Sequence, residues 1–154
     1  MYEPLIADLN QAEGRRLTAY KDKLGNWTIG VGHLLLPLSK DWTAYTISPA
    51  QSDAWLADDL SETQNECEPL NEWKDLNTIC RQNALLECVF NLGIEHWIAE
   101  FPKTRAALAA QDWRAAHDHL IASPEWVAEV GIDRVQRIAN YMLYGNYPGG
   151  TCLT

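Results

Sequence analysis

The tetrapeptide Ser48-Pro49-Ala50-Gln51 divides the chain into two kinds of sequence. The Ser48 hydroxyl can cap a helix, Pro49 supplies the backbone angle of a first helical position, and Gln51 can complete a capping box. A helix is predicted from there past Leu60 to about Cys67, with Pro69 ending it. Ala54, Trp55 and Leu60 form its expected apolar side, with carboxylates on the wet side. Everything beyond Pro69 reads as helix. Thr78–Asn91 is apolar nearly all round, as a buried central helix must be, and Gly93 closes it. Shorter helices follow at Pro102–Ala110, Trp113–Ile121, Pro124–Val130 and Ile132–Tyr144, separated by Gln111-Asp112, Ser123 and Gly131. The tail Gly145–Thr154, with Pro148-Gly149-Gly150, reads as loosely ordered.

Ahead of Ser48 the periodicity changes. Glu3–Ala12 is a short helix with Leu5, Leu9 and Ala12 at helical spacing, stopped by Gly14, so Glu13 falls at its C-terminal end. Leu17–Lys21 and Trp27–Val31 are rich in strand formers, and Asp22-Lys23-Leu24-Gly25-Asn26 between them reads as the turn of a β-hairpin. Gly30 and Gly32 interrupt the strand-like run and suggest close backbone approach. The expected fold is α+β and mostly helical, one domain over 1–154. It has a small N-terminal hairpin lobe (about 13–47), a long connecting helix (about 48–67) and a larger C-terminal helical lobe (about 70–147) that includes the helix 3–12. A helix joining two lobes leaves a cleft, where ligand sites tend to occur.

Charge and composition exclude several classes of function. The net charge is −9, and it is concentrated: Ser48–Leu76 carries eight acids against Lys74 alone, whereas Met1–Ile47 and Phe101–Thr154 are each neutral. No basic face is visible for nucleic acid. No stretch approaches the roughly 20 apolar residues of a membrane span, and the N-terminus is too polar for a signal peptide. Cys67, Cys80, Cys88 and Cys152 include no C-x-x-C pair, so free thiols are expected rather than a disulfide framework. Seven tryptophans mildly favour a carbohydrate ligand, because the indole face stacks on sugar rings. His117-Asp118-His119 is a poor metal motif, since helical ligands need i, i+4 spacing; no metal and no cofactor are expected.

Glycoside hydrolysis needs an acid for the leaving oxygen and a second carboxylate that acts on or through water. Glu13, at the negative end of a helix dipole, suits the acid. Asp22, in a hydrated turn, suits the second carboxylate, and hairpin folding returns Thr28 toward it. By spacing alone these three can equally be a surface carboxylate, a turn former and a strand residue.

A longer pattern bears on that choice. Glu13-Gly14-Arg15-Arg16-Leu17, Tyr20-Lys21-Asp22 and Gly25-Asn26-Trp27-Thr28-Ile29-Gly30-Val31-Gly32-His33 resemble the signature region of the phage-type lysozymes, the bacteriophage muramidases. Their motif is Glu, eight residues, Asp or Cys, five residues, Thr, and Glu13, Asp22 and Thr28 match it without a gap. Arg81–Leu86 and Val89–Gly93 are similar to that family's buried central helix, and Gly131–Arg137 to its later arginine-bearing segment.

The resemblance implies a two-lobed lysozyme-like fold. It also implies hydrolysis of the β-1,4 bond between N-acetylmuramic acid and N-acetylglucosamine, with Glu13, Asp22 and Thr28 catalytic. Leu34, Phe90 and Asn91 would bind substrate. Arg134 would support Glu13, with Arg137 as the alternative, and His33 would be structural. The implied mechanism is inverting, with Glu13 as acid and Asp22, aided by Thr28, activating water across a gap of roughly 6.5–9.5 Å. The implied partner is the peptidoglycan glycan strand, met by a monomer that does not insert into membranes. As an endolysin it would wait in the host cytoplasm for a separate holin before acting on the cell wall; the alternative location is the phage virion. Two other readings stay open: a catalytically degenerate module that binds glycan or serves the virion structurally, and a relative acting on chitin-type polymers.

Overall fold

The computed structural model describes residues 2–147. From 148 on, the expected loose tail and Cys152 lie outside the described residues. The chain divides into two compact units between Glu62 and Thr63, inside the longest helix. The first helix, which sequence grouped with the C-terminal lobe, belongs to the N-terminal unit by this division.

In the N-terminal unit, helix α1 (Glu3–Leu9) passes directly into a π-helical turn, Asn10–Gly14, that carries Glu13. Gly14 ends it at φ +75°, where a side chain would be strained. Strands β1 (Arg16–Lys21) and β2 (Trp27–Gly30) form the expected antiparallel hairpin, with Tyr20 opposite Thr28 and Lys21 opposite Trp27. A third strand, β3 (His33–Leu34), pairs with β2 and was not foreseen from sequence; two residues are too short to show a period. Gly30 does mark a close approach: at φ +65°, an added Cβ would lie 2.9 Å from Ser52 Oγ.

Helix α2 (Pro49–Cys67) begins as its sequence dictates, with the Gln51 amide donating to Ser48 Oγ at 3.1 Å. Its buried stripe differs from the expected one. Ser52, Leu56, Leu60, Thr63 and Cys67 are buried, while Ala54 is exposed and Trp55 half-buried. The buried row, spaced by four, four, three and four, keeps Leu60 of the expected side and adds Leu56, with Ser52 and Thr63 on the same face. Each buried leucine contributes about 1.5–3 kcal/mol.

The C-terminal unit is all helix. After α3 (Asn71–Asp75), α4 (Ile79–Leu92) starts at Thr78, whose hydroxyl accepts from the Arg81 amide, and ends at Gly93 with φ +79°. Next come α5 (Ile94–Glu100), α6 (Pro102–Ala109), α7 (Trp113–Ile121), α8 (Pro124–Val130) and α9 (Ile132–Tyr144). Asp112 and Ser123 cap α7 and α8 with their side chains. Helix α9 packs on α4, α7 and α8, around a core that includes Leu85, Leu86, Trp97, Leu108, Leu120, Trp126 and Ile138.

Helix α4 is not apolar all round. Arg81, Asn83 and Glu87 are buried along it. Arg81 donates to the carbonyls of Met142 (2.8 Å) and Leu143 (3.0 Å), capping the last turn of α9. Gly145 closes that helix at φ +67°, and a Cβ there would meet the Arg81 guanidinium at 2.5 Å. Gly145→Ala will therefore destabilise the fold by about 1–3 kcal/mol, measured as a lower urea midpoint. An unchanged midpoint would mean that both the backbone and Arg81 adjust freely.

The cysteines that the structure describes are free and buried. Burial, helped by the charges of Glu66 and Glu72, pushes the Cys67 thiol up to about 12. Complete burial, with the Glu87 charge beside it, raises Cys88 well above the ordinary thiol range.

Candidate active site

The hairpin turn shapes Asp22. Its Oδ1 accepts from the amides of Leu24 and Asn26, both at 2.9 Å. Its own amide donates to the Asn26 carbonyl at 2.9 Å, and Gly25 N donates to Asp22 O at 3.0 Å. Two amide donors on one oxygen fix the carboxylate in place. Oδ2 takes no hydrogen bond among the described residues. Thr28, two residues beyond the turn, is only 4 % exposed, and its hydroxyl donates to the same Asn26 carbonyl at 3.2 Å. The Asn26 carbonyl thus ties the backbone of Asp22 to the side chain of Thr28.

Glu13 stands on the π-helical turn and is exposed. Turns of this kind are rare and gather at functional sites. Glu13 and Asp22 line one open depression of about 490 Å³ together with Arg16, Tyr20, Lys21, Lys23 and Leu24. Tyr20 registers both carboxylates. Burial raises its phenol above the ordinary range, the charges of Asp22 and Glu13 add to that, and Arg16 opposes them. The Arg16 guanidinium lies over the Tyr20 ring, 4.4 Å from its centre.

The expected substrate contacts fall in other places. Leu34 is 43 % exposed and lines a second depression of the N-terminal unit, about 530 Å³, with His33, Leu36, Trp42, Tyr45 and Trp55. His33 is held there by Asp59 at 2.9 Å and stacks on Trp55. In the C-terminal unit Phe90 is half-buried. Asn91 lines a depression of about 280 Å³ with His96 and Trp126, while its Nδ2 donates to the Glu87 carbonyl at 2.6 Å. His117 and His119 diverge: the first contacts Asp118 and Gln136, the second lines a hollow beside Pro124.

Glu87 is a buried charged residue that sequence reasoning missed. Its side chain is 1 % exposed, and its Oε1 accepts from Arg134 Nε at 2.9 Å and from Arg137 at 2.7 Å. The two arginines offered as alternatives for one role therefore share one carboxylate. The signal was present in sequence: a single acid within Ala84-Leu85-Leu86-Glu87-Cys88-Val89 demands a cation, and Arg134 and Arg137 sit on one face of a helix.

The stretch of chain that carries the glutamate-bearing turn, the hairpin and its return strand lies within the match to a family model. The model of the phage lysozymes covers residues 10–140. The chain belongs to the phage lysozyme family. No individual curated protein matches it. The matched span includes the hairpin, the connecting helix and Glu87, Arg134 and Arg137 of the buried cluster. A phage lysozyme is a glycoside hydrolase acting on peptidoglycan, and that general activity comes with membership. No helix among the described residues is long and apolar enough to cross a membrane.

Proposed function

We propose that this phage lysozyme cleaves the β-1,4 bond between N-acetylmuramic acid and N-acetylglucosamine, with Glu13 as general acid and Asp22 and Thr28 holding the water. The observation that carries this reading is the shared depression lined by Glu13 and Asp22. Glu13 gives its proton to the glycosidic oxygen as the bond breaks. On the other side of the sugar, the Thr28 hydroxyl has its own proton directed at Asn26 O, so toward water it can only accept. A water that donates to Thr28 Oγ1 and to Asp22 Oδ2 has both hydrogens engaged and a lone pair left for the anomeric carbon. Asp22 takes the departing proton, and the product is inverted. Leu34, Phe90 and Asn91 supply contacts to the sugars, with the exposed face of Leu34 against an apolar ring face. Arg134 serves Glu13 in addition to Glu87, placing its carboxylate for transfer.

In this reading the enzyme is a monomer that works on the host wall as an endolysin. It reaches the wall through a separate membrane pore and brings about lysis without a metal or cofactor. The test is product analysis of wild type on purified glycan strands. The expected result is new reducing ends on N-acetylmuramic acid, with the α-anomer appearing first by proton NMR. Reducing ends on N-acetylglucosamine would refute the bond assignment, and first appearance of the β-anomer would refute inversion. A folded protein that leaves the strands whole would favour a degenerate glycan-binding module.

A further inference from the structure

The depression that holds Glu13 and Asp22 also holds Arg16, Lys21 and Lys23. These are three of the five cations in the first 47 residues. None of the three makes an ion pair among the described residues, although the chain carries 21 acids against 12 Lys and Arg. Arg15 pairs with Asp53, Arg105 with Glu72, and Arg134 and Arg137 with Glu87. Lys40, Lys74, Lys103 and Arg114 make no ion pair among the described residues either, so what sets Arg16, Lys21 and Lys23 apart is that they share one depression. Arg16 is instead laid over the Tyr20 ring at 4.4 Å, and Lys21 faces the Trp27 ring at 5.2 Å. Stacking on an aromatic face restricts a guanidinium without using its in-plane donors, so Arg16 is set to form a two-pronged contact with a planar anion. Neutralising the two local carboxylates would not require three cations. The charges that peptidoglycan can bring to them are the lactyl carboxylate of muramic acid, where no peptide is attached, and the free carboxylates of its peptides.

We propose that Arg16 and Lys23, with Lys21 beside them, bind free carboxylates of the peptides that peptidoglycan glycan carries. The depression then reads the peptide as well as the sugar. This rests on the muramidase reading of the same depression, and it explains how an acidic protein can favour an acidic substrate: attraction is local, at the site, against a repulsive whole.

The test is binding, so that it does not depend on cleavage. Affinities for a soluble disaccharide-peptide, for the same compound with its carboxylates amidated, and for the peptide-free disaccharide with its muramic-acid lactyl carboxylate amidated are measured by calorimetry. In wild type the free-carboxylate compound binds tightest. In the double variant Arg16→Gln/Lys23→Gln its advantage over the disaccharide falls roughly tenfold. A control that removes the same charge elsewhere, Lys74→Gln/Lys103→Gln, keeps the advantage. Equal binding of the amidated and free compounds by wild type would overturn the proposal, as would equal losses for all ligands or the same loss in the control. Turnover of glycan by wild type is followed separately; its absence would sink the muramidase reading while the binding comparison still decides this one.

Discussion

Glu13→Gln will abolish most of the clearing of outer-membrane-stripped Gram-negative cells while leaving the fold intact. Glutamine has the shape of glutamate but no proton to give, and positioned general acids contribute roughly 10²–10⁴ in rate. The residue is exposed on a π-helical turn ended by Gly14, so the stability change stays within about 0.5 kcal/mol. The two readouts are the initial rate of turbidity loss and the thermal melt by circular dichroism. A folded Glu13→Gln that clears cells at the wild-type rate would remove Glu13 from the chemistry and leave it a carboxylate at the end of a helix. The variant also separates roles within the depression. Tyr20 and Arg16 keep their stacking in Glu13→Gln, so ligand affinity is retained while turnover is lost.

What could be read in the sequence followed from local rules. The Ser48 cap, the Asp22–Asn26 turn, the helix starts at Pro102, Trp113 and Pro124, and the stop at Gly93 are each decided by a few adjacent residues, and the structure has them. Elements decided by partners distant in sequence were less legible. The strand His33–Leu34 exists because β2 offers it an edge. The buried row of α2 runs through Ser52 and Thr63, a choice that hydrophobicity alone would not make. Glu87 was passed over for the same reason: its meaning depends on two arginines 47 and 50 positions away. At the candidate site, Glu13, Asp22 and Thr28 were legible only as a match to a family motif, since their spacing alone left the choice open. The shared use of the Asn26 carbonyl, and the cations that share their depression, needed coordinates.

Glu87→Gln will lower stability by about 3–5 kcal/mol, the range for a buried ion cluster that loses one partner. The Glu87 side chain is 1 % exposed, and those of Arg134 and Arg137 are 10 % and 25 % exposed. Glutamine leaves an oxygen to accept their hydrogen bonds but removes the charge that the two arginines share, at a place where water screens it little. For a protein of this size that corresponds to a melting temperature lower by roughly 6–20 °C, measured by circular dichroism. Replacing all three side chains by apolar ones of similar volume will recover much of the loss, because the carboxylate stabilises mainly by cancelling charges that are already buried. A Glu87→Gln protein that melts with wild type would show that the charge shared by the two arginines contributes little to stability. The single arginine variants then divide structure from function. Arg137→Ala will cost stability alone. Arg134→Ala will cost stability and also turnover at temperatures where it is fully folded, if the support proposed for Glu13 falls to it. Equal turnover in the two variants would leave both arginines with the buried carboxylate as their whole purpose.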